Sequence, residues 1–296
     1  MLADPQYVIL FDHFARFLRV AHAQRLDVAP LKGAHLLSGV YPEHEGRGRL
    51  ADLDFLVRER DFERCFALLE GLGFTRRRSA TRPSTDAIAE DIGFHFELAP
   101  GQSILFEVHR HFERKGRHPV DYDAVWARAV PSAFDGVPCL RLAAEDHVLH
   151  AVLHAYTDRF LAPQRALRDV ELLITRAGAD LAIVSRRARE WECARATWLL
   201  LSLLRQSRPA LDLGSALEAL RPSQPIAAAL RWLVPDARGF RFGARGVRWE
   251  QAMLWPWLME NPLRAAHFAA AFARVRVQDM RSRRRTECSS SRRRSF

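Results

Sequence analysis

Apolar residues recur along this chain with two different periods, and the place where one gives way to the other divides it. Over residues 5–26, Val8, Leu10, Phe11, Phe14, Leu18 and Ala21 fall close to helical spacing, so one amphipathic helix able to cover a sheet is predicted. A short apolar stretch from Val28 ends at Leu31-Lys32-Gly33, a helical stretch follows to Tyr41, and Pro42 to Gly48 read as loop. Leu53, Phe55 and Val57 then alternate with Asp52, Asp54 and Leu56, which predicts a strand carrying two carboxylates on one face. Asp61 opens a helix that runs through Phe66, Leu69 and Leu72 to a stop at Gly73, and the polar, Arg-rich residues 75–92 read as loop. Two more strands are predicted at Phe94–Leu98 and Ile104–His111, joined by Pro100-Gly101, with Glu107, His109 and His111 on one face of the second.

From Ala143 the period is helical almost throughout, in segments near 145–158, 164–177, 180–206, 213–220, 225–233, 249–258 and 262–280. The pattern predicts an α+β protein with a boundary near residue 142: a mixed part over 1–142, an all-α part over 143–280, and a disordered Arg/Ser-rich tail over 281–296. No internal repeat is visible. Trp249, Trp255, Trp257, Phe268 and Phe272 have helical spacing and read as core.

With 296 residues, 48% hydrophobic and 27% charged, the composition is that of a folded globular chain and excludes disorder throughout. The net charge of +10 points to nucleic acid less than it first suggests, because residues 281–296 hold +6 of it. Only Lys32 and Lys115 among the 45 basic residues are lysine. Cys65, Cys139, Cys193 and Cys288 are widely spaced, which argues against a disulfide framework and a thiolate zinc site and for a reducing compartment. No apolar run reaches the ~20 residues that span a bilayer, and Met1 to Phe14 lack a basic start and a small-residue cleavage site, so a cytoplasmic location is expected.

The chemistry lies in Lys32-Gly33, Asp52-Leu53-Asp54 and Glu107. Carboxylates at i and i+2 of a strand point the same way, and a third from a neighbouring strand converges on them; that suits two hard divalent cations, Mg²⁺ or Mn²⁺, which take oxygen ligands together with substrate phosphates. Glu97, one strand earlier, is the other candidate for third carboxylate. A glycine turn lays backbone N–H groups against a polyphosphate. His147, His150 and His154 fall on one helical face, as a zinc site, a cleft-facing stripe or ordinary hydrogen-bonded residues; zinc is not the first choice. Arg168-Asp169 read as an ion pair linking the two halves.

Leu31-Lys32-Gly33-Ala34, Arg49-Leu50-Ala51-Asp52-Leu53-Asp54-Phe55-Leu56-Val57, Leu72-Gly73-Phe74 and Phe106-Glu107-Val108-His109 together resemble an uncharacterised nucleotidyltransferase family of the polymerase-β-like superfamily. Glu145-Asp146-His147-Val148-Leu149-His150, His154 and Leu167-Arg168-Asp169 are similar to its helical half, so the likeness covers roughly 28–175. The resemblance implies a small mixed β-sheet nucleotidyltransferase core flanked by helices, followed by an all-α C-terminal domain. The activity it implies is transfer of an NMP from an NTP, with release of pyrophosphate. Carried over, Asp52 and Asp54 hold the metals, Glu107 binds the metal nearest the attacking group and helps deprotonate that group, and Lys32, Gly33, Arg49 and His109 contact the nucleotide. His154 and Arg168 fall on the substrate side. The acceptor is open between a protein hydroxyl, a small molecule such as an aminoglycoside-like amine or sugar, and an RNA end. One departure is Ala34, where the superfamily usually has Ser after the glycine. It motivates an alternative, a catalytically inactive nucleotide-binding regulatory module; an RNA-binding adaptor working through the Arg tail is a third reading.

Overall fold

In a computed structural model, the structure describes residues 5–41, 50, 52–76, 91–112, 117–158, 160–241 and 254–264, together with 266 and 270. Helix α1 (Pro5–Ala23) precedes strand β1 (Val28–Pro30), helix α2 (Lys32–Gly39) and strand β2 (Leu53–Val57). A 3₁₀ turn over Glu59–Asp61 leads into α3 (Phe62–Gly71), and then come β3 (Thr75–Arg76), β4 (Asp91–Ala99) and β5 (Gln102–His109). These strands form one mixed sheet in the order β1-β2-β5-β4-β3, in which β2 and β5 run parallel and the other pairs antiparallel. All five residues of β2 are buried, as befits a central strand covered on both faces.

On one face Leu53, Phe55, Phe106 and Val108 pack under α1 and α3; the Phe55 ring lies 5.4 Å from Phe14 and 5.0 Å from Phe17. On the other, Leu56 joins a larger apolar cluster with Leu31, Leu36 and Val40 of the α2 region and with Val148, Val152 and Leu173 of the helical part. The core thus runs across residue 142. Asp54, Glu107 and His109 share the Leu56 face, because they alternate with the residues under α1.

Helix α4 (Tyr122–Ala127) and a hairpin, β6 (Val130–Phe134) with β7 (Val137–Arg141), come before the helical part and were not anticipated. The hairpin turns at Asp135-Gly136, both at positive φ (47° and 73°), which is the Asp-Gly signature of a two-residue turn. Residues 75–76 and 91–92, expected in a loop, belong to strands, whereas 77–90 lie outside the described residues.

The helices are α5 (Ala144–Thr157), α6 (Gln164–Thr175), α7 (Leu181–Glu190), α8 (Ala194–Ser207), α9 (Gly214–Ala219), α10 (Gln224–Leu233) and α11 (Trp255–Leu258). The single segment expected over 180–206 is two helices. Glu192 takes φ 53° and Cys193 N–H donates to Ala188 O at 2.8 Å, which closes α7 in a left-handed stop. Fully buried Asp146 of α5 accepts from Arg128 (3.1 and 3.2 Å) and Arg187 (3.0 Å), joining the residues before β6 to α5 and α7. The Arg/Ser tail and the positions of Trp249, Phe268 and Phe272 lie outside the described residues. No described helix is long and apolar enough to cross a membrane.

Candidate active site

The parallel pairing of β2 with β5 sets the site. Asp54 is the register partner of Glu107, and Leu56 of His109, so one carboxylate from each strand lies level with the other and an imidazole stands one pleat further on. Asp52, two residues before Asp54, opens onto the same cleft. The turn into α2 is pinned beside them, since Leu31 N–H donates to Asp54 O at 2.8 Å. Lys32, the first residue of α2, takes φ 41°, a left-handed conformation that costs a non-glycine residue energy and concentrates at functional sites. Its Nζ donates to Asp54 Oδ1 at 2.5 Å and lies 3.9 Å from Glu107 Oε2. His109 Nε2 lies 2.8 Å from the same Asp54 Oδ1 and 3.8 Å from Glu107 Oε2.

Asp54 is 2% exposed. Burial alone would raise its carboxyl, but the His109 hydrogen bond and the Lys32 charge outweigh that and hold it well below the usual carboxylate range. Burial likewise pulls the Lys32 ammonium down, and Asp54, Glu107 and Asp52 together lift it above its ordinary value. A buried carboxylate anion and an ammonium cation therefore face each other at neutral pH.

The cleft above them has a volume of about 510 Å³ and is closed on the far side by α5 and the start of α6. His147, His150 and His154 of α5 all line it, which is one of the three readings their spacing left open, but their environments differ. His147 stacks on His35 of α2 at 3.7 Å with rings 1° from parallel, and His150 stacks on Phe112 at 4.8 Å. Burial drives both imidazoles well below their ordinary value, helped by His35 beside His147 and by Lys32 beside His150. The Nε2 atoms of His147 and His150 are buried without a hydrogen-bond partner. His154 is half exposed, its Nδ1 3.3 Å from Asp158 Oδ2. Among the described residues the His/Cys/Asp/Glu group gathered closely enough for one ion is Asp54, Glu107 and His109, and the three histidines of α5 do not form one.

The structure places the remaining sequence candidates as follows. Glu97 is exposed and pairs with Ser103, four residues along β4 from the Gly93 that faces Glu107, so the third carboxylate of the cluster is Glu107. His111 has left β5, and its Nε2 lies 3.8 Å from Glu59 Oε2. Gly33 and Ala34 are buried, Ala34 in the core beneath the sheet, so position 34 offers nothing to the cleft and Lys32 supplies the charge at this turn. Asp169 links the halves by accepting from Tyr41 Oη at 2.6 Å, while Arg168 donates to Glu171 at 3.1 Å within its own helix and is not among the cleft-lining residues. Arg49 lies outside the described residues. Asp158, Arg165 and Asp169 line the cleft and were not anticipated as site residues; Asp158 follows His154 by one helical turn, and that spacing was the available signal.

Residues 6–208 match the family model described as "Uncharacterised nucleotidyltransferase", and the chain belongs to that family. No curated protein matches it. Among solved structures it is similar to an antigenic nucleotidyltransferase-like protein from Paracoccidioides brasiliensis, with 17% identity, TM-score 0.43, and 71% of this chain and 92% of that one covered. It is also similar to the antibiotic-resistance factor ANT(2'')-Ia, with 14% identity, TM-score 0.39 and coverages of 69% and 96%. A complex of ANT(2'')-Ia with adenylyl-2''-tobramycin matches at 12% identity, TM-score 0.36 and coverages of 67% and 97%.

Proposed function

We propose that the protein is a divalent-metal-dependent nucleotidyltransferase that moves an NMP from an NTP to a hydroxyl or amine acceptor and releases pyrophosphate. The observation that carries this reading is the level placement of Asp54 and Glu107 on adjacent parallel strands, with the ammonium of cleft-lining Lys32 within 3.9 Å of both. Family membership supports the reaction class. The donor set fits Mg²⁺ or Mn²⁺: the ligand atoms of Asp54, Glu107 and His109 lie within 4.8 Å of one another, and an ammonium already sits against Asp54. A bound ion would neutralise charge on the triphosphate and acidify the attacking group.

The chain's own residues do the rest. Asp54 and Glu107, with Asp52 beside them on the cleft, would hold the ion, and Glu107, the more open of the level pair, would accept the proton of the attacking group. Lys32 and the backbone at Gly33 contact the phosphates, so that the pyrophosphate leaves against a fixed positive charge. The α5 wall, with His150 and half-exposed His154, and the start of α6 enclose the acceptor and exclude water from the reacting phosphorus. Purified protein should release pyrophosphate from at least one of the four NTPs with Mg²⁺ or Mn²⁺ and acceptor present. EDTA and Asp54→Asn should each abolish the release. NTP binding without release under every condition would favour the regulatory-module reading that Ala34 suggested.

A further inference from the structure

Among the described residues, the atoms best gathered for one ion are not three oxygens. They come from Asp54, Glu107 and His109, one ligand atom each, with Asp52 outside the group. His109 Nε2 lies 2.8 Å from the Asp54 oxygen and 3.8 Å from the Glu107 oxygen. Adjacent ligands around an octahedral ion with bonds of about 2.1–2.2 Å lie about 3 Å apart, and opposite ones about 4.3 Å. The His109–Asp54 separation is close to that of adjacent ligands, the His109–Glu107 separation falls between the adjacent and opposite spacings, and all three ligand atoms lie within 4.8 Å of one another. The His109 side chain is 7% exposed, and its backbone is held in the β5 register opposite Leu56, so the ring is confined beside both carboxylates. An imidazole spent only on orienting Asp54 would duplicate Lys32, which already bonds the same oxygen.

We propose that His109 Nε2 is itself a ligand of the ion held by Asp54 and Glu107, giving a mixed nitrogen and oxygen site. Such a site takes Mn²⁺, or a later first-row divalent ion, in preference to Mg²⁺, because Mg²⁺ is a hard ion that favours oxygen whereas imidazole suits transition metals. This rests on the nucleotidyltransferase reading above and adds to it the identity of one ligand and the class of ion.

The test uses the full-length protein, stripped of metal and titrated with Mn²⁺, with and without a non-hydrolysable NTP analogue. Bound Mn²⁺ is followed by continuous-wave EPR and its ligands by pulsed EPR. The expected result is a directly coordinated ¹⁴N signal that changes on ¹⁵N-histidine labelling, disappears in His109→Gln and persists in His154→Gln. Mn²⁺ affinity should fall about tenfold or more in His109→Gln, and Mg²⁺ should displace Mn²⁺ from the wild type only at large excess. Bound Mn²⁺ with no histidine nitrogen coupling, or a coupling that survives in His109→Gln, overturns the proposal and leaves the nucleotidyltransferase reading standing. Failure to bind Mn²⁺ with or without nucleotide overturns both.

Discussion

Lys32 and Asp54 show how much of the site was legible one residue at a time. Alternation of apolar and acidic positions was enough to put Asp54 on the cleft-facing side of β2, with Asp52 just before the strand opening onto the same cleft, because a strand has a period of two whatever surrounds it. That Lys32 would start its helix at φ 41° and bond Asp54 was not legible, since no glycine or asparagine marks the position. Removal of this charge is expected to matter more than its partial exposure suggests. Lys32→Met should lower turnover in pyrophosphate release by roughly 10²–10³-fold, the scale seen when one preorganised group is taken from a developing charge. Lys32→Arg should restore little, because a planar fork does not replace a compact ammonium at a single oxygen. Wild-type turnover in Lys32→Met would remove Lys32 from the mechanism.

Elements were legible where their periodicity was long and clean, as in α1, β2 and α5, and illegible where a turn depends on backbone conformation. The break between α7 and α8 rests on Glu192 in a left-handed conformation, again with no glycine to announce it. The β6–β7 hairpin carried its signal in Asp135-Gly136, which flanks Phe134 and Val137 of the sheet-side core. The far wall of the cleft depends on a comparable contact that only the folded chain reveals. Gly239 takes φ 96°, and a Cβ there would lie 2.3 Å from Phe160 O and 2.8 Å from Leu161 O, on the segment between α5 and α6 that lines the cleft. Phe240 N–H donates to the same Phe160 O at 2.7 Å. Gly239→Ala should therefore destabilise the fold by about 2–3 kcal/mol, as strain and a displaced backbone contact add. Urea denaturation measures this, and an unchanged midpoint would contradict the close approach.

Across the whole molecule, the shared core and the buried histidines tie the two halves together. Leu31, Leu36 and Leu56 pack with α5, α6 and α8, which predicts a single cooperative unfolding transition despite the change of pattern at residue 142. Burial pushes His35 and His118 down to about 4, and His147 and His150 well below their ordinary 6.5. The fold thus holds these imidazoles neutral, whereas the unfolded chain takes up protons near 6.5, so stability is full above that pH and is lost as the pH falls toward 4. At pH 5 the loss should be roughly 1–2 kcal/mol each for His35 and His118, with His147 and His150 acting in the same direction. Asp54, held below its ordinary 3.8, stabilises above that value and acts in a lower window. Denaturant midpoints at pH 7 and pH 5 check this, and equal midpoints would contradict the buried neutral stack of His35 and His147.

The central claim is that the carboxylates of β2 and β5 support nucleotidyl transfer. Its most direct measurement is incubation of the purified protein with each of the four α-³²P-labelled NTPs and Mg²⁺ or Mn²⁺, alone and with cell extract, beside an Asp52→Asn/Asp54→Asn double variant shown to be folded. The account predicts label on a protein, an RNA or a small molecule with the wild type and none with the variant. Equal labelling by the two proteins would contradict it.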